Sequence, residues 1–229
     1  MQANTTAEKL RKDFQLTLSR FSHEIRNPIA LISSELQMLS SSHPEITAYD
    51  CWDDIMDNLE YVKELLNDLS DYNNAGKIAP APTELCSYLD MVLSSVRPAF
   101  EYLGIILETD ISPTLPSLSI DRVKMRQALL NLLRNAQESI SHHNGKITVR
   151  AYLAGQEICI AIQDNGCGIE PERLEDIFTP FVTSKETGSG LGLPVTKQII
   201  EAHGGHLEVS SVPGQGSLFQ VFLKEAFTG

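Results

Sequence analysis

Two asparagines, Asn131 and Asn135, stand four residues apart in LLNLLRNAQESI, and on a helix that spacing puts both carboxamides on one face. Their neighbours Leu129, Leu130, Leu132 and Leu133 are apolar, a costly setting for two amides that serve no ligand. In DNGCGI, residues 164–169, the acid Asp164 is followed by Gly166 and Gly168, whose missing side chains let the backbone approach a ligand closely. In GSGLGL, residues 188–193, Gly188, Gly190, Leu191 and Gly192 open a helical pattern, where unpaired N–H groups and the helix dipole favour phosphate. Between them IFTPFVTSK, residues 177–185, carries Phe178, Phe181 and then Lys185. Alone, the acid–glycine run is only a turn signal, and one glycine loop is commonplace. A separate cluster lies near the start of the chain. His23 is two residues from Phe21 and from Ile25, about 200° around a helix from their apolar stripe, so its imidazole faces outward. Glu24 follows it, Asn27 lies one turn on, and Pro28 clashes with the Glu24 carbonyl, so a bend is expected beside the histidine.

The elements that must position these groups are legible in the apolar rhythm. Leu10, Phe14, Phe21, Ile25, Ile32, Leu36 and Leu39 recur in three- and four-residue steps or their sums. After a break at Ser40–Pro44 the rhythm resumes in Trp52, Ile55, Leu59, Val62, Leu66 and Leu69 and stops near Gly76. Two helices with narrow seams make an antiparallel hairpin that cannot enclose a core alone. Two copies forming a four-helix bundle resolve this, so a homodimer is expected. NNAGKIAPAPT, with Pro80 and Pro82, marks a linker, giving domains at 1–76 and 84–229 with residues 77–83 between them. Beyond it come a helical stretch from Leu85 to Tyr102, a β-like run from Ile105 to Thr109, and a helix from Asp121, a plausible N-cap, to Ile140. KITVRAYL and EICIAIQD read as a β-hairpin turning at Gly155, residues 192–203 as a helix, and HLEVSS and SLFQVFL as closing strands. This order indicates an α/β sandwich with a mixed sheet.

Composition narrows the classes of function. The net charge of -12 on 229 residues opposes binding to nucleic acid or an anionic membrane surface. Acidity concentrates in the hairpin, with 6 basic and 13 acidic residues up to Gly76; its second helix carries an acidic stripe that reads as a solvated face or as a partner-selecting one. Four cysteines without a C-x-x-C pair suit a reducing, cytoplasmic compartment. No apolar run reaches the roughly 18 residues of a membrane span, and the polar start lacks a signal peptide's apolar stretch. The segment could still be the cytoplasmic portion of a membrane-bound sensor with a sensory or transmembrane part upstream.

FSHEIRNPIALI closely resembles the H box of two-component sensor histidine kinases. The four later clusters match, in order and spacing, the N box, first glycine box, F box and second glycine box of those kinases' catalytic ATP-binding domain. GQGSLF is similar to their closing G-x-G-T-x-F, with Ser217 in place of threonine. The resemblance implies a helical hairpin followed by an α/β sandwich of the Bergerat (GHKL) type, with ATP and Mg²⁺ as cofactors. It implies that His23 attacks the γ-phosphate of ATP and passes the phosphoryl group to an aspartate of a response-regulator receiver domain, a second partner beside the homodimer. Glu24 would take up the ring proton or hold the tautomer, and Asn27 would orient water for dephosphorylating the regulator. Asn135 would ligate Mg²⁺, Asn131 would contact the phosphate side, and Asp164 would accept adenine's exocyclic amine. Gly188, Gly190 and Gly192 would cradle phosphate. Gly166, Gly168, Ile169, Leu191 and Ser217 would complete the nucleotide site, and residues 166–190 would form a lid anchored by Phe178.

One departure matters: the usual N box has a basic residue three positions after its metal asparagine, and here that position is Glu138, followed by Ser139. Arg134 or Lys185 would have to supply the missing positive charge. An ATPase of the gyrase, Hsp90 and MutL type is a rival, but it places a water-activating glutamate where this chain has Asn131, which cannot act as a base. A non-catalytic dimeric scaffold is a second rival; its mark would be a lost His23, Asn135 or glycine box, and none is lost.

Overall fold

The apolar rhythm at the start of the chain resolves into α1 (Gln2–Ser42) and α2 (Cys51–Asn74), joined through a single 3₁₀ turn at Pro44–Ala48. A computed structural model describes residues 2–183, 185 and 188–224, except for the side chains of 2–16, 19, 20 and 23. Its two compact units are Met1–Asn74 and Ala75–Gly229. Helix α1 contains Pro28 and runs on through the serine cluster expected to break it. There Ser40 and Ser41 turn their hydroxyls back onto the Gln37 carbonyl at 3.0 and 2.8 Å, a local side-chain bond that a serine can make without leaving the helix.

Inside the hairpin, Leu59 and Leu66 of α2 are buried, but among the described side chains of α1 the buried ones are Ser22 and Ser33. Ser22 Oγ donates to the Leu66 carbonyl at 3.3 Å, and Arg26 reaches the same oxygen at 3.2 Å and Asn67 Oδ1 at 3.4 Å. One turn nearer the hairpin tip, Lys63 donates to Ser33 Oγ at 2.9 Å. Phe21, a member of the expected seam, is 56% exposed on the single hairpin, and large parts of Ile32, Leu39 and Ile55 are exposed with it. The expected seam therefore divides in two. Small serines bring the helices of one hairpin together, and the larger apolar side chains form a face that the hairpin leaves open. The Leu10, Phe14 and His23 side chains lie outside the described residues.

In the second unit β1 (Ala81–Thr83) pairs antiparallel with β3 (Leu118–Ile120). The stretch read from its prolines as a linker is thus structured from Ala81. A short ribbon tolerates Pro82, because alternate residues of an antiparallel pair do not exchange ladder hydrogen bonds. Helix α3 (Leu85–Tyr102) begins at Glu84, whose carboxylate accepts from the Cys86 and Ser87 N–H groups; Ser87 above all holds that carboxyl below its usual range. The large sheet is mixed, in the order β2-β4-β5-β7-β6, from β2 (Ile106–Ile111), β4 (Lys146–Ala154), β5 (Glu157–Asp164), β6 (His206–Val212) and β7 (Gly216–Lys224). Only β2 and β4 run parallel. Ile147, Val149 and Ala151 of β4 and Phe219, Val221 and Leu223 of β7 are buried at alternate positions. They share a core with Leu89, Met125, Leu132 and Ile199 of α3, α4 (Arg122–Glu138) and α5 (Gly192–Ala202). That arrangement is the expected α/β sandwich.

The N-cap expected at Asp121 is in place. Its Oδ1 accepts from Val123 N at 3.0 Å and Lys124 N at 3.1 Å, and its Oδ2 accepts from Ala79 N at 2.8 Å. A link that no pattern announced joins the far end of α5. His203 Nε2 accepts from Asp121 N at 2.9 Å, while Nδ1 lies 2.7 Å from the Ile199 carbonyl, which can only accept, so the ring proton sits on Nδ1. Burial raises the Asp121 pKa, but the Ala79, Lys124 and Val123 donors outweigh it, and the carboxyl is held below its ordinary range. Asp121→Ala is expected to cost about 1–2 kcal/mol of unfolding free energy, read from urea denaturation at neutral pH. Because the folded pKa is lowered, this stabilisation is present above the unfolded value and is lost as pH falls through the folded one. The gap between wild type and variant should therefore close on acidification, and a gap that persists in strong acid would contradict the charged cap.

Candidate nucleotide site

Asp164 ends β5 as a buried residue, 4% exposed, and its Oδ1 gathers three donors: Gly166 N at 2.8 Å, Ser139 Oγ at 3.0 Å and Ser217 N at 3.2 Å. These come from the turn after β5, the end of α4 and the start of β7. Burial pushes the carboxyl above the ordinary aspartate range, and the donors pull it back without cancelling the effect. With Oδ1 saturated, Oδ2 remains as the acceptor for a ligand's N–H group.

The first glycine box is clamped at both ends. At Gly168 the backbone is left-handed, φ +72°, and an added Cβ would lie 2.3 Å from the Val212 carbonyl oxygen. Ile169 N donates to Ser211 Oγ at 2.8 Å, and that hydroxyl also reaches the Gly216 carbonyl at 2.8 Å and Ser217 Oγ at 3.0 Å. Ser139, noted in the sequence only as the residue after Glu138, and Ser211, not singled out there at all, both hold this turn. The only signal for Ser139 is its place directly after the N box; Ser211 looks like any polar residue in an alternating strand.

Asn131 and Asn135 are half-buried on α4 as the spacing implied, but they face different tasks. Asn131 Nδ2 donates to the Gly192 carbonyl at 3.2 Å, which Thr196 Oγ1 also reaches at 2.9 Å, so the amide ties α4 to the first turn of α5. That turn has no acidic residue and no side-chain cap, leaving a positive helix end for an anion. Gly190, φ +67°, packs against Phe181, whose N–H donates to the Gly190 carbonyl at 3.1 Å. Leu191 is buried beside them. Phe178 is half-buried under the Lys197 ammonium, 5.3 Å from its ring centroid, whereas Phe181 is exposed.

Asn135 Oδ1 accepts from Lys185 Nζ at 3.2 Å, and the same ammonium pairs with Glu138. Of the two basic residues left open by the sequence, Lys185 thus reaches the N box; Arg134 is exposed on α4. In the hairpin, Glu24 and Asn27 are exposed on α1. Among the described residues no group of three or more histidine, cysteine, aspartate or glutamate side chains could hold a metal by itself, so any metal here would depend on its ligand's oxygens.

A helical hairpin followed by a sandwich with this acid, amide pair and glycine-clamped turn defines a phosphoacceptor hairpin joined to a Bergerat-type ATP-binding domain. Residues 15–77 match the His Kinase A (phospho-acceptor) domain, and residues 120–226 match the histidine kinase-, DNA gyrase B- and HSP90-like ATPase family. The chain belongs to the histidine kinases. It is 34% identical over 208 residues to the C4-dicarboxylate transport sensor protein DctB of Rhizobium meliloti, covering 89% of this chain and 33% of DctB. It is 30% identical over 223 residues to the sensory histidine kinase/phosphatase NtrB of Vibrio alginolyticus, covering 91% of this chain and 62% of NtrB. The chain thus spans between a third and two thirds of these relatives. Full-length ShkA in complex with AMPPNP shares the fold, with a TM-score of 0.76 at 24% identity over 90% of this chain and 45% of ShkA. Among the described residues no helix is long and apolar enough to cross a membrane.

The glycines differ in what they tolerate. Gly168→Ala forces a side chain into both a left-handed backbone and the Val212 carbonyl, and is expected to destabilise the ATP-binding domain by about 1–3 kcal/mol. Gly192→Ala meets nothing nearer than Asn131 Cγ at 3.9 Å and should leave the thermal midpoint unchanged or slightly raised. Equal thermal shifts for the two variants would refute this account of the loop.

Proposed function

We propose that this chain is the kinase portion of a sensor histidine kinase: it binds ATP in the second unit, transfers the γ-phosphoryl group to His23, and passes it to an aspartate on a response-regulator receiver domain. The observation that carries the nucleotide reading is the Lys185 ammonium against Asn135 Oδ1, a cation where the metal of a nucleotide would sit. The donor set fits Mg²⁺, which commonly takes one or two protein oxygens and completes its shell from phosphates and water. Bound there, the metal would neutralise charge on the β- and γ-phosphates. Asn135 would hold it, and the uncapped start of α5, with the backbone of Gly188, Gly190 and Gly192, would hold phosphate oxygens. Lys185 would exchange Asn135 for phosphate, in place of the basic residue that Glu138 displaces. Asp164 Oδ2 would accept the exocyclic amine of adenine. Gly166, Gly168, Ile169 and Leu191 would shape the walls, Ser217 would hold Asp164 through its N–H, and Phe178 would anchor the loop of residues 166–190.

In the transfer itself a ring nitrogen of His23 forms the bond to the γ-phosphorus as the bond to the bridging oxygen breaks, ADP departs, and Glu24 takes the ring proton. Asn27 would orient water for hydrolysis of the regulator's acyl phosphate, a reading that agrees with the Vibrio relative's description as kinase and phosphatase. The exposed Phe21, Ile32, Leu39 and Ile55 support a dimer in which two hairpins close one four-helix core.

His23→Ala and Asn135→Ala should each abolish acid-labile, base-stable labelling from γ-labelled ATP; label surviving in His23→Ala would overturn the assignment of the phosphoacceptor. Asn27→Ala should leave autophosphorylation within about twofold and slow regulator dephosphorylation by tenfold or more, on the order of a lost water-orienting group. If it stops autophosphorylation and spares dephosphorylation, Asn27 serves the helix geometry around His23. Ile32→Glu with Ile55→Glu places charges on the open apolar face and should yield monomers in sedimentation at micromolar concentration. A dimer that survives both substitutions would place the interface elsewhere.

A further inference from the structure

Ser139 lies one residue beyond α4, where its N–H closes the helix on the Asn135 carbonyl at 3.1 Å. A serine there needs no further explanation if its hydroxyl only caps the helix, and Oγ does lie 2.8 Å from the Ala136 carbonyl. Three other contacts go beyond a cap. Oγ lies 3.0 Å from Asp164 Oδ1, the Ser139 carbonyl accepts from Cys167 N at 2.9 Å, and an added Cβ at Gly166 would sit 2.0 Å from Oγ. The residue is therefore pressed onto the 164–167 turn through its hydroxyl, its carbonyl and its bulk. The hydroxyl has one proton for two acceptors, and an ionised, buried carboxylate is the stronger of them.

The other two donors to Oδ1, from Gly166 and Ser217, are backbone N–H groups of strand-end segments. Ser139 is the only side chain among the described donors to this oxygen and the only one supplied by α4, the helix that also bears Asn135. We propose that Ser139 is a positioning residue for nucleobase recognition, fixing the Asp164 carboxylate so that Oδ2 faces the exocyclic amine of a 6-aminopurine nucleotide. This rests on the reading of Asp164 as the base acceptor. Without the hydroxyl, the carboxylate keeps its charge and burial but loses the bond that fixes its rotation relative to α4. The amine then meets an acceptor held by the Gly166 and Ser217 N–H groups alone and less closely aimed at it, while the start of α5 is untouched.

The test compares binding of ATP with binding of purine riboside triphosphate, which has the same ring and phosphates but no exocyclic amine, by calorimetry with Mg²⁺ in the full chain. Wild type should prefer ATP. Ser139→Ala should reduce that preference about tenfold, the scale of one charge-assisted hydrogen bond, while affinity for the amine-free nucleotide stays within about twofold. The near-isosteric pair Ser139→Thr and Ser139→Val provides the control for fold. Preference should be kept by the variant with the hydroxyl and lost by the one without it. If Ser139→Ala retains the wild-type preference, or both nucleotides weaken equally, Ser139 has a merely structural role and the proposal fails by itself. If wild type binds both nucleotides equally, the base-acceptor reading of Asp164 fails, and this proposal with it.

Discussion

A carboxylate that is almost wholly buried must be surrounded by donors, and in the second unit Asp164 sets that requirement. Its three donors come from segments far apart in the chain, Ser139, Gly166 and Ser217. To satisfy one oxygen, the end of α4, the turn after β5 and the start of β7 must converge within hydrogen-bonding distance. The glycines nearby follow from that crowding. An added side chain at Gly166 would strike Ser139, and one at Gly216 would strike the Asp164 backbone. The desolvation that raises the Asp164 pKa is only partly offset by these fixed donors, and the oxygen they share, Oδ1, is committed to the fold.

A second constraint runs along α4 and α5. Asn131 bonds the Gly192 carbonyl, and His203 at the far end of α5 bonds Asp121 at the start of α4, so the two helices are tied at opposite ends. This fixes the bare N-terminus of α5 relative to Asn135, one turn from Asn131. An anion held at that helix end and a cation held by Asn135 would then lie along one face, the arrangement a metal-bound polyphosphate requires. Lys185 shows how the site is balanced: its ammonium sits between a neutral amide and the Glu138 carboxylate, so a negative group takes over the role of neutralising Lys185. The acid at position 138, unsuited to hold phosphate, is suited to hold the lysine that could.

The hairpin obeys a different economy. Serines at positions 22 and 33 let α1 and α2 approach closely and spend their hydroxyls on groups of α2, while larger apolar residues remain outside. One hairpin therefore closes without using up its hydrophobic surface. That leftover surface is the driving force available for a second copy, and the exposed Glu24 and Asn27 beside it remain open to a partner.

Much of this was legible in the residues themselves. The 3.6-residue rhythm marked the hairpin and α3 to α5, the two-residue alternation marked β4 to β7, and Asp121 announced its cap, because these depend on local periodicity and on backbone groups a residue or two away. Asn131, Asn135, Asp164 and the glycine boxes stood out because amides and glycines in such places are costly unless something needs them. The rest depended on distance in the chain. Nothing local says that Ser139 and Ser211 reach the 164–169 turn, that Lys185 and not Arg134 arrives at Asn135, or that His203 caps the start of α4. The two prolines argued against a strand at Ala81–Thr83, yet pairing with Leu118–Ile120 outweighed them. The apolar stripe likewise could not say which of its members faces the sister helix, since one periodicity serves two interfaces. Sequence determined which segments would be helix or strand and which residue types were available for chemistry; only the tertiary structure decided which of them meet, because a hydrogen bond between residues tens of positions apart exists only once the intervening chain has folded.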